Sequence, residues 1–125
     1  MNILKRNDIP SIAKNTNCNH VTGTTTISET DDEAVFYRTN DGSHDFKFWF
    51  KNCGNNAWRA YIMSKIDYCG RSENPHTIHR LHDSDLNLNY VCWTDILKSK
   101  AACKSVAAFW ADCTVRYIKE GKSFG

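Results

Sequence analysis

Apolar and polar residues alternate most regularly along residues 44–51. A β-strand sends successive side chains to opposite faces, so this alternation predicts a strand with one apolar face and one mixed face. The apolar face consists of Phe46, Phe48 and Phe50, and the mixed face consists of Lys47, Trp49 and Lys51. We therefore expect this strand to bury a phenylalanine layer and to direct its cations and its tryptophan the other way.

Turn-forming residues divide the neighbouring segments into further strands. The Asn-Asp-Gly tripeptide at 40–42 tolerates the positive φ of a tight hairpin turn, which predicts a strand at 33–39 before it. A Cys-Gly-Asn-Asn turn at 53–56 leads into a long strand at 57–66. One face of that strand would carry Trp58, Ala60, Ile62 and Ile66, and the other face Arg59, Tyr61, Met63 and Lys65. Further strands are expected at 20–28 and 88–93.

Two segments have a helical pattern instead. Between residues 103 and 117 the apolar positions recur at spacings of three and four residues, which predicts an amphipathic C-terminal helix that ends at Gly121. Its apolar stripe consists of Cys103, Val106, Trp110, Cys113 and Tyr117. Near the N-terminus, Asp8 and Pro10 resemble a helix start, so a short helix is expected at 8–15.

These elements predict an α+β fold that spans residues 1–125 as a single domain. We expect an antiparallel sheet of five to six strands, connected as a meander and packed against the C-terminal helix. The predicted core consists of Phe46, Phe48, Phe50, Trp58, Ile62, Val106, Trp110 and Tyr117.

Composition adds a charge pattern and a location. The net charge is +2, but residues 1–50 carry five Lys or Arg against seven Asp or Glu, whereas residues 51–125 carry eleven against seven. The second half therefore favours an anionic partner. The N-terminal residues become charged before an apolar export segment forms, and no apolar run is long enough to cross a bilayer. We expect a cytoplasmic protein without membrane contact, whose six cysteines are mainly reduced core thiols.

The mixed face of the predicted sheet contains the strongest candidate binding site. Its cations alternate with aromatic rings, a combination with which a sheet can stack bases and neutralise phosphates. The residues contributed by the two long strands are Lys47, Trp49, Arg59, Tyr61 and Lys65. They predict a non-enzymatic binding protein for an anionic ligand, either a nucleic acid or a nucleotide. The alternative is a solvated face on which the N-terminal helix covers Trp49 and Tyr61.

A second basic cluster is expected around residues 74–83. As a short helix, this segment would place His76, His79 and Asp83 on one face within reach of a metal ion. As a strand, it separates the histidines too far for one metal, and its β-branched residues favour the strand. We therefore expect no metal and no cofactor. The residues that would line an anion site beside this strand are Arg71, His76, Arg80 and His82. A polar sheet edge, with Arg80 paired to a nearby aspartate, is the alternative.

Two further functions stay open at the level of sequence. One is a protein–protein inhibitor, for example a phage or mobile-element protein that blocks a host defence complex, because Trp, Tyr and Arg dominate interface hot spots. The other is an enzyme, a nuclease or metal hydrolase that uses His76, His79 or His82. The chain contains no phosphate-binding glycine loop, nucleophile elbow, zinc-protease motif or C-x-x-C motif, so no motif supports catalysis.

Overall fold

The computed structural model describes residues 31–124. The elements in this part of the chain are β1 (Glu33–Arg38), β2 (Asp45–Asn52), β3 (Trp58–Ile62), α1 (Pro75–Ile78), β4 (Arg80–Asp83), β5 (Leu88–Val91) and α2 (Lys100–Glu120). The helix predicted at 8–15 and the strand predicted at 20–28 lie outside the described residues.

The five strands form one antiparallel sheet in the order β1-β2-β3-β5-β4, and α2 packs against it. The predicted α+β class is therefore confirmed. The strand order differs from a simple meander, because β5 lies between β3 and β4. The chain leaves β3, passes through α1, forms β4 at the edge and returns as β5, which pairs with both neighbours.

Both predicted turns around β2 are present. Gly42 adopts a φ of 77° in the turn between β1 and β2, and its N–H donates to the Thr39 carbonyl at 2.8 Å. In the turn between β2 and β3, Asn55 and Asn56 both have a φ of 55°, a conformation that asparagine tolerates better than most residues. These turns fix the register in which Phe48 lies opposite Ile62.

Strand β3 ends earlier than its sequence pattern predicts. The expected strand reached residue 66, whereas β3 ends at Ile62 and one further bond joins Met63 N–H to the Lys47 carbonyl at 2.8 Å. The Lys47 N–H donates to the Ser64 hydroxyl at 2.8 Å instead of a backbone carbonyl. A side chain therefore takes the place of the next backbone acceptor, and the chain leaves the sheet there.

Helix α2 has the predicted stripe and the predicted end. The Ser99 side chain accepts a hydrogen bond from the Ala102 N–H at 3.1 Å and caps the N-terminus, and Gly121 ends the helix with a φ of 73°. All eight predicted core residues are buried. The Trp110 indole meets Phe46 and Phe48 edge-on, with ring centroids 6.1 Å apart in both pairs.

The segment 74–83, for which a strand is favoured over a short helix, contains both: a helix comes first and the strand follows. The Asn74 side chain accepts a hydrogen bond from the His76 N–H at 2.9 Å, and Pro75 begins the short helix α1. His79 ends this helix in the left-handed region, with a φ of 52°. The strand β4 begins only at Arg80.

The five described cysteines are free thiols with different surroundings. Cys103 and Cys113 are buried as predicted, and burial raises the pKa of the Cys113 thiol. Cys53 and Cys69 are exposed, so the prediction of core thiols applies to only part of the set. Across residues 31–124, no helix has both the length and the apolar character that crossing a membrane requires.

Candidate binding face and adjoining cleft

We call the sheet face opposite α2 the open face. The alternation predicted for β2 is confirmed, since its phenylalanines are buried and the residues between them are partly exposed. Paired residues project to the same side of a sheet, so the register aligns Trp49, Tyr61, Tyr90 and Leu81 in a row across four strands. The open face consists of Ala34, Phe36, Arg38, Asp45, Lys47, Trp49, Lys51, Arg59, Tyr61, Met63, Leu81, Asp83, Leu88 and Tyr90.

The most exposed aromatic residue of the open face is Phe36, which our sequence argument did not select. Its side chain is 60% exposed, although it lies in the middle of β1. Lys47 is its cross-strand partner, and the Lys47 Nζ lies 5.6 Å from the ring centroid. Met63, 42% exposed, follows at the end of β3 and is joined by its backbone to Lys47. An apolar patch therefore surrounds Lys47.

Tyr61 points to the open face as predicted, but its ring is covered. It is 1% exposed, with Trp49 at 5.5 Å and Tyr90 at 5.7 Å between ring centroids. Its hydroxyl donates to Asp83 Oδ2 at 2.7 Å. Burial, followed by the bond to Asp83, raises the pKa of Tyr61 above its ordinary value. The ring is therefore not available to stack on a ligand, which corrects the role expected from its position.

Arg59 on the open face has partners within the domain. The Arg59 Nη1 lies 3.1 Å from Asp83 Oδ2, and the guanidinium carbon lies 4.2 Å from the Tyr90 ring centroid. The hydrogen bond from Tyr61, followed by the backbone N–H groups of Leu86 and Asp85 and then the charge of Arg59, keeps the pKa of Asp83 below its ordinary value. These contacts balance the charge of Arg59 with a carboxylate.

Lys51 and Arg38 are paired in the same way. The Lys51 Nζ lies 3.6 Å from Asp32 Oδ2 and 5.2 Å from the Trp49 ring centroid. The Arg38 Nη2 lies 3.0 Å from Asp45 Oδ2. Three cations of the open face thus have carboxylate partners, and the surface is less basic than a count of its Lys and Arg suggests.

Two residues of the second predicted cluster, Arg80 and His82, lie on the other side of the sheet. In the register, Arg80 lies opposite the buried Val91 and His82 lies opposite Asn89, so both project to the side that α2 covers. The Arg80 guanidinium lies 5.5 Å from the Tyr68 ring centroid and 3.4 Å from Glu73. His76 lies on the helix α1 before this strand, so it does not share a strand face with Arg80 and His82.

The remaining predicted site residues are also separate. Arg71 donates from Nε to the Ile118 carbonyl at 2.9 Å, so it stabilises the C-terminal end of α2. Lys65 is exposed in the loop after β3, and His76 is exposed on α1. The predicted set therefore divides into an open-face group (Lys47, Trp49, Arg59, Tyr61) and a dispersed group.

Two of the described histidines, His79 and His82, have different surroundings. His82 Nδ1 lies 2.9 Å from the Asn89 side-chain oxygen, whereas His79 packs on Phe124 with ring centroids 5.2 Å apart. Burial lowers the pKa of His79, because it disfavours the charged ring. Between residues 31 and 124, no group of three or more His, Cys, Asp or Glu side chains has an arrangement that could hold a metal ion.

A cleft adjoins the open face where the chain passes from β5 toward α2. Its volume is about 410 Å³. A bridge from the Trp58 N–H to the Leu97 carbonyl, 2.8 Å long, holds the connecting segment against β3. The lining residues are Cys53, Ala57, Trp58, Arg59, Leu81, Tyr90, Val91, Cys92, Trp93, Asp95, Ile96 and Leu97. Arg59, Leu81 and Tyr90 belong to both the cleft and the open face.

No protein-family model, curated protein or solved structure matches this chain. Function therefore has to be inferred from the contacts, charges and exposure of the described residues.

Proposed function

We propose that this chain is a non-enzymatic binding protein that docks another protein on the open face of its sheet. The observation that carries the proposal is Phe36, an aromatic side chain that is 60% exposed in the middle of a regular strand. Contiguous exposed apolar surface on a soluble protein marks an interaction site more often than isolated apolar residues do. Trp49 and Met63 project from the same face, on the two strands that follow.

The charge arrangement supports a protein as the partner. A polyanion is attracted by cations that release their counterions on binding. Lys51 and Arg38 already have carboxylates within 3.6 and 3.0 Å. A partner that presents an apolar surface can cover Phe36 and Met63 without breaking these pairs. The cores of protein interfaces are enriched in aromatic residues, Met and Arg, as is this face.

The proposal can be tested with a photo-crosslinker at position 36. A benzophenone-bearing phenylalanine analogue replaces Phe36, and the same analogue replaces Leu86 as the matched control. Leu86 is also an exposed apolar residue, but it lies in the turn between β4 and β5. After nuclease treatment of a lysate from the source organism, we expect a protein adduct from position 36 that position 86 does not give.

A binding measurement with purified proteins then tests whether the crosslinked protein is the partner. The purified candidate should bind the unmodified chain, and Phe36→Asp should weaken this binding by roughly 30-fold or more, because hot-spot truncations cost about 2 kcal/mol or more. Leu86→Asp should leave the affinity unchanged within about twofold. Equal adducts from both positions, or equal losses for both variants, would exclude the open face as the docking surface.

A single-stranded nucleic acid is the second candidate, and one observation favours it. The Nζ atoms of Lys47 and Lys51 lie 5.6 and 5.2 Å from the rings of Phe36 and Trp49, so cations and stacking surfaces alternate there. Within the described residues, Lys47 has no carboxylate partner. Binding to single-stranded RNA or DNA should then weaken steeply with salt and be reduced by Lys47→Ala. Binding that salt does not change would eliminate this candidate.

Docking of this kind would inhibit the partner, since a small domain that occupies another protein's surface blocks that surface for other proteins. The cytoplasm is the proposed location, because the cysteine content of a chain this long favours a reducing compartment.

A further inference from the structure

We propose that the cleft beside the open face binds a small amphipathic monocarboxylate, with its apolar body against Tyr90, Trp93 and Ile96 and its carboxylate on the free edge of Arg59. This site is separate from the Phe36 patch and requires no partner protein. It therefore extends beyond the proposed docking function.

The size and the walls of the cleft favour a small organic ligand. Its volume of about 410 Å³ lies within the range of ligand pockets, about 300–1,000 Å³. Most of the wall is aliphatic or aromatic, and Ile96 and Leu81 are exposed at it. Few polar groups line such pockets as a rule, and those few fix the orientation of the ligand. Arg59 is the cationic group among the lining residues.

Arg59 is positioned to receive a carboxylate. Its Nη1 is occupied by Tyr61 at 3.3 Å and Asp83 at 3.1 Å, and the Tyr90 ring lies 4.2 Å from the guanidinium carbon. These contacts hold the guanidinium in place before a ligand arrives. Nη2 and Nε make no hydrogen bond within the described part of the chain, and 40% of the side chain is exposed. Two parallel N–H donors on one edge match the two oxygens of a carboxylate.

Asp95 restricts the ligand to a single acidic group. Its carboxylate also lines the cleft, and it has no ion-pair partner among residues 31–124. A second acid on the ligand would meet this charge and be repelled. We therefore expect Asp95→Asn to strengthen the binding of a monocarboxylate by about two- to fivefold, because it removes a like charge without changing the shape of the wall.

The experiment uses 2-naphthoate as the probe and its neutral analogue 2-naphthylmethanol as the matched ligand. Titration of the ¹⁵N-labelled chain should shift the amide signals of Tyr90, Cys92 and Ile96 and the side-chain Nε signal of Arg59. We expect saturation below about 1 mM for naphthoate and affinity at least about fivefold lower for the alcohol, because one charge-assisted bidentate contact is lost. Tryptophan fluorescence, to which Trp58 and Trp93 of the cleft contribute, offers a second readout.

Variants separate the two parts of the site. Arg59→Lys keeps the charge beside Asp83 but removes the planar fork, so naphthoate should bind about fivefold more weakly while the alcohol is unaffected. Ile96→Asp removes an apolar contact, so both ligands should bind more weakly. Leu86→Asp, in the turn away from the cleft, serves as the control and should change neither.

The inference is wrong if the naphthoate shifts are absent up to about 1 mM, lie outside the cleft, or are equalled by those of the alcohol. It is also wrong if Arg59→Lys, with an unchanged spectrum elsewhere, binds naphthoate as tightly as the original chain. None of these results depends on a protein partner, so the crosslinking test at position 36 can succeed or fail independently.

Discussion

The two faces of this sheet bury their aromatic side chains by different means. On the face that α2 covers, Phe48 and Phe50 are fully buried beneath the helix, and Trp110 packs edge-on against Phe48. On the open face, Tyr61 is buried just as completely, but its cover includes the neighbouring Trp49 and Tyr90. Within the described residues, α2 therefore stabilises one face of the sheet, while the other leaves Phe36 exposed.

The polar groups show the same contrast. Glu33 is buried, and its carboxylate lies 2.8 and 3.3 Å from the Nζ atoms of Lys104 and Lys100 of α2. These two ion pairs connect the sheet to the helix. The ion pairs of the open face lie within the sheet or between adjacent segments, and Arg38 and Asp45 are largely exposed. Exposed pairs contribute little to stability, whereas breaking a buried pair is costly. We therefore expect mutations on the covered face to change folding and those on the open face to change recognition.

The largest effect is expected for Phe48→Ala on the covered face. Removing a fully buried phenylalanine leaves a cavity beneath Trp110, and such changes cost about 3–5 kcal/mol of unfolding free energy. Urea unfolding followed by circular dichroism measures this cost. A loss below about 1 kcal/mol would mean that the helix-covered layer is not the stabilising core.

The second largest loss of stability is expected for Glu33→Gln, and this loss should depend on pH. Burial by itself would raise the pKa of Glu33, but Lys104 and Lys100 outweigh burial, and the folded pKa lies below the ordinary 4.5. A lowered carboxylate pKa contributes stability above the unfolded pKa, and this contribution is lost as the pH falls through the folded pKa. We expect a loss of about 2–4 kcal/mol at pH 7, which shrinks below pH 4.5.

Urea unfolding of the original chain and of Glu33→Gln across that pH range measures this dependence. Asp45→Asn is the matched control, because it removes an exposed partner of Arg38, and it should cost less than about 0.5 kcal/mol at any pH. A pH-independent loss for Glu33→Gln would contradict the role of its charge.

Tyr61→Phe should have a smaller effect, since it removes a hydroxyl and keeps the ring. The hydroxyl donates to Asp83 at 2.7 Å, and the loss of such a bond costs about 1 kcal/mol. Thermal unfolding compared with Tyr90→Phe, whose hydroxyl makes no hydrogen bond within the described residues, isolates this contribution. Equal melting temperatures for the two variants would show that the Tyr61 hydroxyl is not structural.

The smallest effect on stability is expected for Phe36→Ala. Its ring is 60% exposed, so its removal should change the unfolding free energy by less than about 0.5 kcal/mol. Phe48→Ala is the comparison, and both variants are measured by urea unfolding under identical conditions. A cost similar to that of Phe48→Ala would place Phe36 in the folding core and remove the basis for the docking proposal.

The sequence predicted well those elements whose structure depends on residues that are close together in the chain. The phenylalanine alternation of β2, the turn at Gly42 and the stripe of α2 each depend on neighbouring residues in sequence, and each is confirmed. The end of β3 was not predictable in this way, because it depends on the Ser64 hydroxyl bonding to Lys47, a residue on the adjacent strand. The position of β5 between β3 and β4 likewise depends on pairing between distant segments.

The candidate site could be predicted only in part, because it too depends on contacts between distant segments. Alternation predicted which way Trp49 and Tyr61 point, but their exposure depends on what lies beside them, and Tyr90 comes from a strand far along the chain. Phe36 was missed because β1 mixes apolar and polar residues on both faces, with Glu33 inside and Phe36 outside. Arg80 and His82 share one side of β4, as the predicted strand placed them, whereas His76 lies on the helix before β4 and is not part of that strand.

The sequence by itself determined the class of fold, the phenylalanine layer and the helix that covers it, since hydrophobic periodicity and turn chemistry act between near neighbours. Tertiary structure alone decided the strand order, the burial of Tyr61 and the pairing of Arg59 with Asp83, because these depend on distances between segments that are remote in the chain. It also produced the cleft, whose walls come from β3, β4, β5 and the segment leading to α2.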